Sequence, residues 1–190
     1  MLAVLAGCSA DGSEPSARRR EFGPVDDLCN AVDFTPVFEV HAFMTATVEE
    51  RTEGTSEDET SSTRATSAVY ETVCILDDSP GRGAQDAGPR GLMVASVVIY
   101  DTAEIARQIY DGLGEARIDR DDGPAGRWDD SRVSSQETSY GSDVTLVVLD
   151  DVLILNLRLA ISSWSTPPDP EVQEAALAQL AENMSDVMRR

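Results

Sequence analysis

The chain has 190 residues and a formal net charge of -20, with 35 acidic residues against 15 basic ones, every one of the latter an arginine. A body this anionic is repelled by nucleic acid and by anionic lipid headgroups, so no nucleic-acid partner is expected. No run approaches the roughly 18 apolar residues of a membrane-spanning helix, and a single histidine, His41, leaves little material for base-assisted nucleophilic chemistry.

A short apolar run at the start of the chain ends in Leu5-Ala6-Gly7-Cys8. This tetrapeptide resembles the lipobox of bacterial lipoproteins, a small-residue cleavage site followed by a cysteine that becomes the new amino terminus. The resemblance implies lipidation of Cys8, a thioether to diacylglycerol, and residence on the extracytoplasmic face of the cell membrane. A secretory leader carries positive charge ahead of its apolar stretch. Residues 1–7 have none, and they are expected to be the remainder of a truncated lipoprotein signal peptide. The competing reading is a buried apolar N-terminus with an ordinary cysteine.

Residues 8–24 are rich in Ser, Gly, Pro, Ala and charge, the composition of a flexible tether. Their Asp11, Glu14 and Glu21 cancel Arg18, Arg19 and Arg20, so the whole charge of -20 belongs to residues 25–190. The arginine triplet can lie on lipid headgroups, at about 1 kcal/mol for each basic residue, or be simply solvated. Residues 25–190 are long enough for a single globular domain but short for two.

Within that domain, residues 25–40 read as one or two short helices, with Thr35-Pro36 as N-cap and first-turn pair. Phe43 to Glu50 and Ser67 to Leu76 read as strands, and Arg51 to Thr66 as a solvated hairpin tip. A Pro/Gly/Asp loop, 77–90, leads to a strand from Leu92 to Tyr100. Asp101-Thr102 then cap a helix whose Ile105, Ala106, Ile109, Tyr110 and Leu113 share a face, with Gly114 placed to stop it. Asp119-Arg120-Asp121-Asp122-Gly123 is an acidic loop, yet its glycine falls at the fifth position and not the sixth that an EF-hand requires.

A polar strand comes next near Arg132 to Thr138, then a hairpin of Asp143 to Leu149 with Val152 to Ile161, turning at Asp150-Asp151. In its second arm Leu153, Leu155, Leu157, Leu159 and Ile161 point one way while Asn156 and Arg158 point the other. Asp169-Pro170-Glu171 opens the last helix with an N-cap, a proline at N1 and an acid in the first turn. Ala176, Leu177, Leu180, Ala181, Met184, Val187 and Met188 give that helix a continuous apolar stripe, and Arg189 and Arg190 suit its C-terminal dipole. The expected fold class is α+β, a mostly antiparallel β-sheet sandwiched between helices, with short helices at the N-terminus and a long one at the C-terminus.

With Cys8 committed to lipid, Cys29 and Cys74 are an even pair, and such pairs are bridged in an oxidising compartment. The loop they enclose is worth about 4 kcal/mol in the chain-entropy account. Two independent buried thiols are the alternative. A bond to Cys74 places the first helix on the sheet face that Cys74 shares with Tyr70, the side of the sheet away from the last helix. Val69, Val73 and Ile75 make the opposite face apolar enough to be covered as well. Neither CxxC nor HxxxH spacing is present, so no metal site and no cofactor are expected.

Asp27-Leu28-Cys29, the second cysteine in an early strand, a middle helix after a strand, and a closing Leu180-Ala181-Glu182-Asn183-Met184 helix, set behind a lipobox and tether, form a recognisable layout. It resembles the DUF3558-type lipoproteins of actinobacteria over most of residues 5–188. The resemblance implies a Mog1/PsbP-like α+β sandwich with no assigned activity. The chain departs from that pattern in having Ile75-Leu76 where a tryptophan is common.

No GxSxG, SxxK, HExxH, P-loop or dinucleotide fingerprint occurs, and no catalytic residue is assigned. His41 reads as a half-exposed structural residue. The adjacent acids Asp121/Asp122, Asp129/Asp130 and Asp150/Asp151 are the material for an acidic-site hydrolase. Neighbouring acids on a loop point apart, however, and turn-forming or solubilising roles explain them. The expected function is a non-catalytic binding module held to the membrane through Cys8, whose acidic domain engages a cationic or apolar partner of the envelope. The alternative is a carrier of a lipid or other apolar ligand held between sheet and helix.

Overall fold

A computed structural model describes residues 21–41, 47–52, 68–77, 90–113, 123–162 and 168–189. Two short helices come first, α1 (Leu28–Ala31) and α2 (Thr35–Val40). Strands β1 (Thr47–Thr52), β2 (Ala68–Asp77) and β3 (Arg90–Tyr100) precede helix α3 (Ala103–Leu113). Strands β4 (Asp130–Thr138), β5 (Gly141–Asp150) and β6 (Leu153–Ser162) lead to the long helix α4 (Pro170–Met188). The strands form one six-stranded sheet in the order β1-β2-β3-β6-β5-β4, antiparallel at every pairing. The protein is therefore an α+β fold.

Local chemistry sets most element boundaries. The Asp169 carboxylate accepts from the Glu171 amide at 2.9 Å, and Pro170 needs no amide partner in the first turn, so α4 starts there. Thr102 Oγ1 likewise accepts from the Ile105 amide at 3.3 Å and opens α3. At α2 the expectation needs correcting. Thr35 is the first helical residue and not the cap; the cap position falls on Phe34, while the Asp33 carboxylate accepts from the Thr35 amide at 2.9 Å. Those hydrogen bonds hold the Asp33 carboxyl below the usual range.

Strand alternation sorts the core. Cys74 and Leu76 of β2, Met93, Ala95 and Val97 of β3, Val144, Leu146 and Val148 of β5, and Leu153, Leu155, Leu157 and Leu159 of β6 face one side and are buried there. Helices α1, α2 and α4 cover that side, with Leu28, Val37, Leu177, Leu180 and Met184 fully buried against the strands. The N-terminal and C-terminal helices thus share a face, which corrects the expectation of opposite sides: Cys74 lies in register with Ala95, Leu157 and Leu146, on the side that α4 covers. Asn183 on α4 donates to the Asp33 carbonyl at 2.9 Å and ties the helices together.

The Cys29–Cys74 bond forms, with the two Cα atoms 5.5 Å apart. Tyr70 donates its hydroxyl to the Val25 carbonyl at 3.0 Å on the same face. The first helix is therefore where the shared face of Cys74 and Tyr70 requires it. Among the described residues the opposite face carries only α3, packed over Tyr100, Val147, Leu149 and Ile154 near one end of the strands. The apolar character of Val69, Val73 and Ile75 implies full coverage of that face, and the structure corrects this. Val69 is exposed and the other two are half-buried, because α3 is short and lies over β3, β5 and β6.

Candidate ligand-binding face

The sheet register arranges the α3 side in four rows across the strands. Glu71, Val98, Ile154, Leu149 and Asp130 form the first row, and Val73, Ser96, Asn156, Val147 and Arg132 the second. Ile75, Val94, Arg158, Thr145 and Ser134 make the third, and Asp77, Leu92, Ala160, Asp143 and Gln136 the fourth. The centre of the first row is apolar and buried under α3. Moving away from α3, β6 passes through Asn156 and Arg158 and returns to a small apolar side chain at Ala160.

An opening of about 440 Å³ lies at the fourth row. Leu92 and Ala160 give it apolar walls, and Arg90, Gln136, Thr138, Tyr140 and Asp143 surround them. This volume is within the range of small-ligand sites. Gly141 lines it where β5 runs closest to β6, and a Cβ there would collide with the Ile161 carbonyl oxygen. The Thr138 hydroxyl donates to the Gly141 carbonyl at 3.2 Å and closes the β4–β5 turn, which leaves the Tyr140 ring 66% exposed at the rim.

The charged pair beside the opening is a fork. Arg158 donates from Nε at 3.0 Å and from Nη2 to the Asp143 carboxylate, one residue diagonal to it across β5 and β6. The hydrogen bonds to Asp143 raise the pKa of the Arg158 guanidinium. Both groups are half-exposed, so the pair fixes geometry more than it stabilises the fold.

A second polar cluster holds α3 in place. Tyr110 is fully buried and its ring lies beneath the Arg132 guanidinium, 4.3 Å from the centroid, with Arg107 at 5.6 Å. Arg132 also donates to the Tyr110 carbonyl at 2.9 Å, and Arg107 pairs with Asp130 at 2.6 Å. Burial, and then the nearby Asp130 charge, push the Tyr110 phenol well above its ordinary pKa. Arg132 and Tyr110 come from separate elements, so sequence periodicity gives no sign of their contact.

Cys8 and its tether through residue 20 lie outside the described residues, as do Asp121 and Asp122 and most of the 51–66 tip. Asp129 accepts from the Asp151 amide at 2.8 Å and Asp130 holds Arg107. Asp150 is not the solvated turn residue that its sequence context implies. It is 1% exposed and paired with Arg189 at 3.1 Å, because it closes β5 on the core face beneath the end of α4. His41 is buried and not half-exposed. Asp151 takes a left-handed backbone, φ 54°, and this makes the two-residue turn before β6.

The layer between the sheet and α4 is filled by Leu155, Leu157, Leu177, Leu180 and Met184, all fully buried. The opening therefore lies at the sheet end and on the other face. Comparison of the chain with protein-family models, with curated proteins and with solved structures finds no match.

Proposed function

We propose that this chain is a lipid-anchored extracytoplasmic protein of the DUF3558 type, attached to the cell membrane through Cys8, whose folded part is a non-catalytic binding module of the envelope. The layered arrangement of the Mog1/PsbP-like kind is part of the same proposal. One observation carries the binding role: a sheet face that α3 covers at one end and leaves open at the other, with an aromatic rim and a 440 Å³ opening. The Cys29–Cys74 bond supports the compartment, since such bonds persist outside the reducing cytosol.

Two measurements test the proposal on the full-length chain in cells. Alkynyl fatty acid labels the native protein and not a Cys8→Ser variant; equal labelling of both rejects the anchor. A photo-crosslinking side chain at Tyr140 forms adducts that one at Val172, exposed on α4, does not. Equal adducts at both positions reject the binding face. The apolar walls at Leu92 and Ala160 favour one second reading, a carrier of an apolar ligand held at this opening and not between sheet and helix. A saturable, stoichiometric complex with a membrane lipid supports that reading.

A further inference from the structure

One step beyond the row of Leu92 and Ala160, the sheet register ends on Arg90, Ser162, Gly141 and Thr138, on the same face and around the opening. Gly141 has no side chain and Ala160 only a methyl group, so the floor sinks between Arg90 on β3 and the Tyr140 turn that follows β4. Those two sides stand two to three strand spacings apart, about 10–14 Å. The Ser162 hydroxyl donates to the Arg90 carbonyl at 3.5 Å and ties the strand ends together.

The net charge of -20 points to a cationic partner, but the lining of this opening does not share it. Asp143 is the one acid among the described residues that line it, and the Arg158 fork already occupies its carboxylate. Arg90 forms no ion pair among the described residues, so one positive charge is left uncommitted at the rim. Acids elsewhere on the surface count for little there, because physiological salt largely screens exposed charges more than about 8 Å apart.

Resting on the proposal that this face binds a ligand, we infer that the opening takes a small apolar monoanion, a flat ring system over Ala160 and Leu92 with its one carboxylate on the Arg90 guanidinium. Arginine meets a carboxylate with two parallel N–H donors, which fixes direction as well as charge. Tyr140, 66% exposed at the rim, presents an aromatic ring to the other end of the ligand. A ligand with two or more negative charges finds no second uncommitted cation among the described lining residues, and the charge of the whole body repels it. A cationic ligand meets Arg90 itself.

The test titrates the purified full-length protein with naphthylacetate by calorimetry, beside the neutral naphthylacetamide and the cationic naphthylethylammonium. Saturable one-to-one binding of the acid is expected, with the amide and the ammonium at least tenfold weaker. Arg90→Gln, at an exposed strand end, should weaken the acid at least tenfold and leave the amide unchanged. Ala160→Trp fills the recess and should abolish binding of both; Tyr140→Ala, at an exposed position, should weaken both and serves should Ala160→Trp fail to fold. An amide that binds the native chain as tightly as the acid, or acid binding that Arg90→Gln leaves unchanged, overturns the role of Arg90. Decanoate bound more tightly than naphthylacetate overturns the flat body. Binding of none of these probes overturns the ligand class, and the crosslinking comparison of Tyr140 with Val172 still decides separately whether the face binds a partner.

Discussion

Every strand of the sheet has two faces, and they meet different surroundings. On the side of Cys74 and Leu157 three helices close over the strands, and side chains from Met93 to Leu180 lose all contact with water. On the side of Asn156 and Arg158 only the 11-residue α3 is present among the described residues, and the opening lies at the far end of the face. The backbone and hydrogen-bond register are common to both. Side-chain chemistry alone makes one face the main source of stability and leaves the other largely uncovered by the described helices.

Substitutions on the two faces should therefore differ in size. Breaking the covalent link on the closed face has the largest expected effect. Cys29→Ser with Cys74→Ser opens a loop of sequence separation 45 and should lower unfolding free energy by about 4 kcal/mol, read from urea denaturation. Unchanged stability in the double variant would show that α4, and not the bond, holds the first helices on the sheet.

Leu157→Ala should cost about 3 kcal/mol by leaving a cavity under α4. Its neighbour Arg158→Ala, on the open face, should cost about 0.5 kcal/mol. Similar losses from these adjacent residues would erase the distinction between the faces.

Asp150→Ala, at the β5–β6 turn end of the closed face, should cost about 2 kcal/mol by depriving the part-buried Arg189 of its buried partner and leaving it the exposed Asp186. Proteolysis at Phe22 should speed up in the same variant, because Arg189 also pairs with that residue.

The smallest effect at neutral pH is expected from Tyr110→Phe, within about 0.5 kcal/mol, since the buried hydroxyl makes no hydrogen bond of good geometry among the described residues. Its signature lies in the pH dependence. The phenol pKa is raised in the folded state, so its contribution is fully present below the unfolded value of 10.0. That contribution falls away as pH rises beyond it. Stability should decline above pH 10 in the native chain and decline less in the variant, as followed by thermal unfolding at stepped pH. Parallel curves would show that α3 releases Tyr110 before it ionises.

Much of the fold was legible in particular residues. The leucines of β6 at every second position announced a buried face, and Asp169-Pro170-Glu171 marked the start of α4 to the residue. The pair Cys29 and Cys74 fixed which face of β2 the first helix covers, because a disulfide forces proximity whatever the intervening chain does, but gave no sign that α4 lies on that face too. The opening was not legible. Leu92, Ala160, Tyr140 and Asp143 lie on three strands and a turn, and only the strand order β3-β6-β5-β4 makes them neighbours. Asp150 misled for a related reason: a two-acid turn looks solvated until the far end of the chain delivers Arg189 to it.

Alternation, capping and cysteine chemistry act over a few residues or through a covalent bond, so the sequence by itself determined the elements, their apolar faces and the staple between them. Which helices share a face, where α3 ends its cover, and which strand ends converge on an opening depend on pairings between distant segments. Those pairings are chosen by the total burial of the sheet and its helices, a quantity that no local window contains, and only the tertiary structure decided them.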